Sequence, residues 1–194
     1  ITPLPPEPVI TSTGPVCEGE CVTLSTKVQY EGSDINYVWF TPNGTMVNIT
    51  GENSSMLEIC PTIASEHDGD YSVGVTVDGC SIFSDSYYLD IFESPVVDPE
   101  VVYDLNPDCS FSNISLAANA TGGTGPYTYD WTGPNGFVST LDIATVANAG
   151  AASNGTYTVV VTDFNGCTTE GAVEVIIAEN PQALPIIASS GPAC

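Results

Sequence analysis

Tyr37-Val38-Trp39-Phe40-Thr41-Pro42-Asn43-Gly44 returns later in the chain as Tyr129-Asp130-Trp131-Thr132-Gly133-Pro134-Asn135-Gly136. Both read Y-x-W-x-x-P-N-G, at an offset of 92 positions (129 against 37). Cys17 and Cys109 are displaced by the same 92, so each stands 22 positions ahead of its tryptophan. Further on, Asp70-Tyr71-Ser72-Val73 answers to Thr156-Tyr157-Thr158-Val159, and Asp78-Gly79-Cys80-Ser81 to Asn165-Gly166-Cys167-Thr168. Four landmarks in one order mark an internal duplication, which has to be recognised before a fold is assigned. The chain therefore divides into two modules, residues 1–94 and 95–184. A third start follows. Pro185 to Cys194 resembles Pro8 to Cys17 at an offset of 177 (194 against 17), so residues 185–194 read as the opening of a further, truncated module. On that reading the sequence is a window on a longer tandem array.

Within the first module, apolar and polar residues alternate over residues 21–25, 36–40, 56–60 and 71–77, and a closing run covers 87–92. Such period-2 runs, punctuated by Gly, Pro, Asn and Asp, predict short antiparallel strands. Asp78-Gly79 and Asn165-Gly166 are hairpin-turn dipeptides, because both tolerate positive φ. The expected class is all-β, with two tandem immunoglobulin-like β-sandwiches. Trp39 and Trp131 are the expected core plugs, and Tyr71 and Tyr157 the expected corner tyrosines. One departure stands out. The two positions that an inter-sheet disulfide would occupy fall near Leu24 and Val73.

Composition narrows the function. The 194 residues carry 1 Lys+Arg against 24 Asp+Glu, a formal charge of −23. A nucleic-acid partner is excluded, since one cation cannot displace condensed counterions. Membrane insertion is not expected either, because no apolar run approaches the roughly 18 residues that a spanning helix needs. At 42% hydrophobic and 13% charged residues, the chain still has the apolar mass to fold, unlike a merely acidic tail.

Seven cysteines invite a metal or a disulfide reading. Zinc sites favour short paired spacings with histidines. Here Cys17 and Cys21 are close, the others are dispersed, and His67 is the single histidine. Disulfides fit better. With Cys194 left to pair beyond the window, the second module keeps Cys109 and Cys167, an isolated pair. Pairing Cys109 with Cys167 implies Cys17 with Cys80 by analogy, which leaves Cys21 with Cys60. Bonds of this kind persist outside a reducing cytosol, so the expected location is extracellular or on the cell surface.

The run Thr121-Gly122-Gly123-Thr124-Gly125-Pro126-Tyr127-Thr128-Tyr129-Asp130-Trp131, followed by Asn154-Gly155-Thr156-Tyr157-Thr158-Val159-Val160-Val161-Thr162-Asp163-Phe164-Asn165-Gly166-Cys167, resembles the repeat of SprB-like gliding adhesins of Bacteroidota. The first module, with Gly14-Pro15-Val16-Cys17-Glu18-Gly19-Glu20 and Val77-Asp78-Gly79-Cys80, is similar to PKD-like or immunoglobulin-like modules of the same giant surface proteins. The resemblance implies a very long surface or filament-forming protein, exported by the type IX route and engaged in adhesion or gliding motility. Its partners would be neighbouring modules of the same chain and identical chains in a filament.

Other candidate sites are less specific. Glu93, Asp98, Glu100 and Asp104 gather oxygen donors near the module junction, where a Ca²⁺ ion, the one cofactor candidate, would stiffen the array. A proline-stiffened linker without an ion is the alternative. Asn43, Asn48, Asn53, Asn113, Asn119 and Asn154 begin N-x-S/T sequons and are candidate glycosylation sites. Tyr87, Tyr88, Tyr127 and Tyr129 form a candidate stacking platform for a surface glycan, or a surface for a protein ligand, against the reading that they alternate between core and sheet surface. No catalytic role is expected. Glu18 with Glu20, and Asp68 with Asp70, read as solvated acidic loops, and His67 has no nucleophile motif beside it.

Overall fold

The computed structural model describes residues 6–28, 35–49, 55–103 and 113–177. The chain folds into two compact units. The first takes in residues 1–94 with Gly122–Thr124 and Phe164–Cys167, and the second takes in the remainder. Each is a β-sandwich with its own buried core.

In the first unit β1 (Ile10–Ser12), β3 (Val22–Thr26) and β6 (Met56–Ile59) form one antiparallel sheet in the order β1-β3-β6. The facing sheet runs β5 (Met46–Ile49), β4 (Ile35–Phe40), β7 (Gly69–Val77), β8 (Cys80–Phe83), and β9 (Tyr87–Leu89) also pairs with β7. β2 (Val16–Cys17) and β10 (Ile91–Phe92) pair in parallel, and a single turn of helix, α1 (Ala64–His67), precedes β7. Alternation decides what goes inside: Val22, Leu24 and Thr26 of β3 are buried while Thr23 and Ser25 are only half-buried. Trp39 lies at the centre at 0% exposure, packed among Leu24, Val73, Val75 and Leu89.

The second unit repeats the plan. β12 (Glu100–Tyr103), β13 (Asn113–Ala117) and β17 (Ile143–Ala147) make one sheet. β16 (Phe137–Ser139), β15 (Thr128–Gly133), β18 (Gly155–Thr162) and β19 (Thr168–Val175) make the other, while β11 (Pro95–Val97) pairs with β14 (Ala120–Gly122). Trp131 is buried among Leu116, Val159 and Val161, and its indole N–H donates to the Leu141 carbonyl at 3.0 Å. Register is identical in the two units: Trp39 stands opposite Val73, and Trp131 opposite Val159. Leu24 and Val73, like Leu116 and Val159, are fully buried. An apolar pair therefore occupies the place where immunoglobulin domains carry their inter-sheet bridge.

The corner tyrosines close the same way in both units. The Tyr71 hydroxyl donates to the His67 carbonyl at 2.9 Å, and the Tyr157 hydroxyl to the Ser153 carbonyl at 3.1 Å, four residues upstream each time. The Pro-Asn-Gly half of the repeated motif fastens onto this corner. Asn43 Nδ2 donates to the Glu66 carbonyl at 3.0 Å, and Asn135 Nδ2 to the Ala152 carbonyl at 2.6 Å. The prolines pack on the glycine two residues before the tyrosine. A Cβ on Gly69 would lie 3.0 Å from Pro42, and one on Gly155 would lie 2.9 Å from Pro134. Both glycines also hold positive φ, 133° and 136°, a region that L side chains rarely enter.

Gly69→Ala and Gly155→Ala are each expected to cost about 1–3 kcal/mol in chemical denaturation, because backbone strain and contact with proline add. Gly44→Ala, where φ is also positive but a Cβ would meet nothing within 4 Å, is expected to cost less. Equal losses at Gly69 and Gly44 would rule out the proline contact as a cause.

Candidate functional site

The cysteines depart from the pairing expected from the repeat. Cys17 is bonded to Cys167, with Cα atoms 5.6 Å apart, and Cys80 is an exposed free thiol. Cys21 is bonded to Cys60. That bond follows from the antiparallel pairing of β3 with β6, which sets Val22 opposite Ile59 and leaves the next residue of each strand at a shared edge.

The expected Cys17–Cys80 bond fails for a geometric reason. Cys17 lies on β2 beside Phe92, and the neighbouring Ile91 N–H donates to Asp68 at the entry to β7. Cys80 stands opposite Val77, at the far end of β7. Eight strand steps separate those ends, roughly 26 Å, whereas a disulfide requires Cα atoms within about 7 Å. Cys109–Cys167 fails because Cys167 is already bonded to Cys17; Cys109 and Cys194 lie outside the described residues. The segment around Cys167 is tied together locally. The Phe164 N–H donates to the Thr124 carbonyl at 2.8 Å and Asn165 Nδ2 to Thr124 Oγ1 at 3.1 Å, which is why residues 122–124 group with 164–167.

The acidic residues weighed as catalytic pairs act as hydrogen-bond acceptors for their own loops. Glu20 accepts the Cys17 N–H at 3.1 Å, and Glu18 accepts the Ala64 N–H at 3.3 Å. One Asp68 oxygen accepts the Ile91 N–H at 3.0 Å and the other the Tyr88 hydroxyl at 2.8 Å, while Asp70 accepts the Ser86 hydroxyl at 2.7 Å. His67 Nδ1 accepts the Ile63 N–H at 2.9 Å, which satisfies a donor at the start of α1. Among the described residues no three His, Cys, Asp or Glu side chains gather as a metal site would require. Glu93, Asp98 and Glu100 belong to no such group, and Asp104 lies outside the described residues.

Sequon asparagines are largely engaged in holding loops. Asn43 donates as described above, and Asn119 Nδ2 donates to the Asp98 carbonyl at 3.1 Å. Asn154 uses both ends of its amide on Ile177, donating to its carbonyl and accepting its N–H. Asn113 Oδ1 accepts the Asn148 N–H at 3.4 Å. Asn48 stands on β5 opposite Val38, and Asn53 lies outside the described residues. The tyrosines divide as well. Tyr87, Tyr127 and Tyr129 are half-buried against the two cores, while Tyr88 is 54% exposed. Among the described residues three aromatic side chains face solvent: Phe83, Tyr88 and Phe164. The sequence reading missed Phe83 and Phe164, since each sits in an alternating run or turn where exposure depends on strand register.

Burial pushes the Tyr71 phenol up to about 12, and the nearby Asp68 carboxylate adds to the shift. Burial raises Tyr157 as well. With an unfolded value near about 10, the neutral phenol favours the folded state. That contribution is complete below pH ~10 and is lost as pH rises from ~10 toward ~12. A phenolate absorbance titration is expected to show Tyr71 ionising late. Tyr71→Phe is expected to cost about 1 kcal/mol, the net worth of a hydrogen bond, and to flatten the loss above pH ~10.

No protein-family model matches the chain, and no curated protein matches it. Among solved structures it is similar to the N-terminal eight Ig domains of Down Syndrome Cell Adhesion Molecule isoform 1.30.30, at 16% identity and a TM-score of 0.60. That likeness covers 84% of this chain and 26% of the other. It is also similar to the three N-terminal domains of the bacteriophage RB49 outer capsid protein Hoc, at 18% identity and a TM-score of 0.41, over 87% of this chain and 58% of that one. DIP-gamma IG1+IG2 matches at 14% identity and a TM-score of 0.39, over 87% and 96% of the two chains. Strand content, the tyrosine corners and the first of these likenesses together show an all-β chain of immunoglobulin-like sandwiches.

Proposed function

We propose that this chain is a non-catalytic structural and adhesive segment of a long extracellular surface or filament-forming protein. The observation that carries the reading is the Cys17–Cys167 disulfide, which joins residues of the two sequence repeats across 150 positions. Tension applied at the chain ends passes through the sulfur bridge, so the enclosed strands are shielded from it. On the chain-entropy model, taken singly, that bond stabilises the fold by about 5 kcal/mol and Cys21–Cys60 by about 4 kcal/mol. Two disulfides support a location outside the reducing cytosol. No helix among the described residues is long and apolar enough to cross a membrane. The resemblance of the G-G-x-x-P-Y and N-G-C segments to SprB-like repeats supports type IX export and a role in surface adhesion or gliding.

In single-molecule stretching from the chain ends, the oxidised protein is expected to reach a full extension roughly 500 Å shorter than the reduced one, since 150 enclosed residues at about 3.4 Å each stay locked. Equal extensions would remove the load-bearing role. Peptide mapping without reduction is expected to return Cys17–Cys167 and Cys21–Cys60; a Cys17–Cys80 peptide would overturn the assignment.

The exposed Phe83, Tyr88 and Phe164 favour a second reading, a module that binds glycan or protein through its aromatics. Specific micromolar binding on a glycan array, abolished by Tyr88→Ala or Phe164→Ala, would select it over the structural one.

A further inference from the structure

The hairpin cysteine occurs twice in this chain, and the two copies have different fates. Cys167 follows Asn165-Gly166 and is bonded and fully buried; Cys80 follows Asp78-Gly79 and is exposed and free. The positions are equivalent. Each opens or immediately precedes the strand antiparallel to the one bearing the corner tyrosine, β8 on β7 and β19 on β18. Cys80 lies 9 residues after Tyr71, and Cys167 lies 10 after Tyr157. The partner of Cys167 is the cysteine that opens the preceding repeat. Moving the bonded pair back by one repeat sets a vacant hairpin thiol, Cys80, against the opening cysteine of a module placed before it.

We propose that Cys80 is a cross-linking site, which forms a disulfide with the opening cysteine of another module of this type, as Cys167 does with Cys17. The proposal rests on the tandem-array reading and adds to it a covalent rule: each opening cysteine is bonded to the hairpin cysteine of the next module. Repeated along an array, that rule makes overlapping rings, so load crosses from bridge to bridge. The chemistry is thiol–disulfide exchange with a small oxidised disulfide such as glutathione disulfide. The Cys80 thiolate attacks one glutathione sulfur, forms a mixed disulfide and releases one glutathione thiolate. The partner thiolate then attacks the Cys80 sulfur and releases the second glutathione. One disulfide is consumed and one is formed, with two glutathione thiols released. Exposure of Cys80 at a hairpin turn permits this attack without unfolding.

The test is a head-to-tail fusion of two copies of the full chain, with Cys194→Ser in the first copy so that Cys109 is the opening cysteine left to meet the second copy, refolded with reduced and oxidised glutathione and mapped without reduction. Cys80 of the second copy is expected to be bonded to Cys109 of the first, the cysteine 22 positions before Trp131, while Cys17–Cys167 forms within each copy. Cys80→Ser in the second copy alone is expected to release that partner and raise the number of alkylatable thiols by one. If Cys80 of the second copy is fully alkylated, carries only glutathione or joins any other cysteine while Cys17–Cys167 is present, the proposal is overturned and the array reading stands. Loss of Cys17–Cys167 as well would overturn both.

Discussion

Both sandwiches depend on one strand pairing that holds a tryptophan in register with a valine. Trp39 faces Val73 and Trp131 faces Val159. A slip of one residue would turn each indole out to solvent, because successive side chains on a strand point to opposite faces. Burying an aromatic ring of this size is among the largest single contributions that a module this small can make. The rest of the repeated motif guards the pairing. Proline and asparagine of Pro-Asn-Gly grip the turn before the corner tyrosine, and the tyrosine hydroxyl ties the start of its strand to that turn. Residues far apart in sequence thus recur together because they meet at one corner.

A chain with 24 acidic residues and 1 basic one cannot be held by networks of ion pairs. Several of its carboxylates are placed instead against neutral donors. Glu18, Glu20 and Asp68 take backbone N–H groups, and Asp68 and Asp70 take hydroxyls. Hydrogen bonds to a charged acceptor are worth more than neutral ones, so the loops gain order without a counter-ion. The remaining repulsion between like-charged surfaces opposes indiscriminate association. Covalent bridges then supply a kind of cohesion that this electrostatic surface does not.

Those bridges differ in kind. Cys21–Cys60 pins two neighbouring strands of one sheet, a local staple whose loop spans 39 positions. Cys17–Cys167 spans 150 positions and encloses most of the chain. For a protein under tension the second matters more, since what lies inside a closed ring cannot be drawn out while the ring holds. Leu24 and Val73, fully buried, take the positions that an inter-sheet disulfide would otherwise use.

The sequence by itself determined the duplication, the all-β class, the two core tryptophans and the corner tyrosines. These rest on local alternation and on motifs repeated at fixed spacing, both of which are properties of the chain before it folds. The Cys21–Cys60 pair was legible in the same way, because strand neighbours follow from the sandwich plan. Tertiary structure alone decided the partner of Cys17. Repeat symmetry treats each module as closed on itself, but Cys17 and Cys80 lie at opposite ends of β7, and only the folded chain fixes that distance. It also decided the work of Asn43, Asn154 and His67. The two asparagines stood as candidate glycosylation sites and the histidine as a residue without a catalytic role, whereas the backbone groups that all three bond depend on where each loop comes to rest.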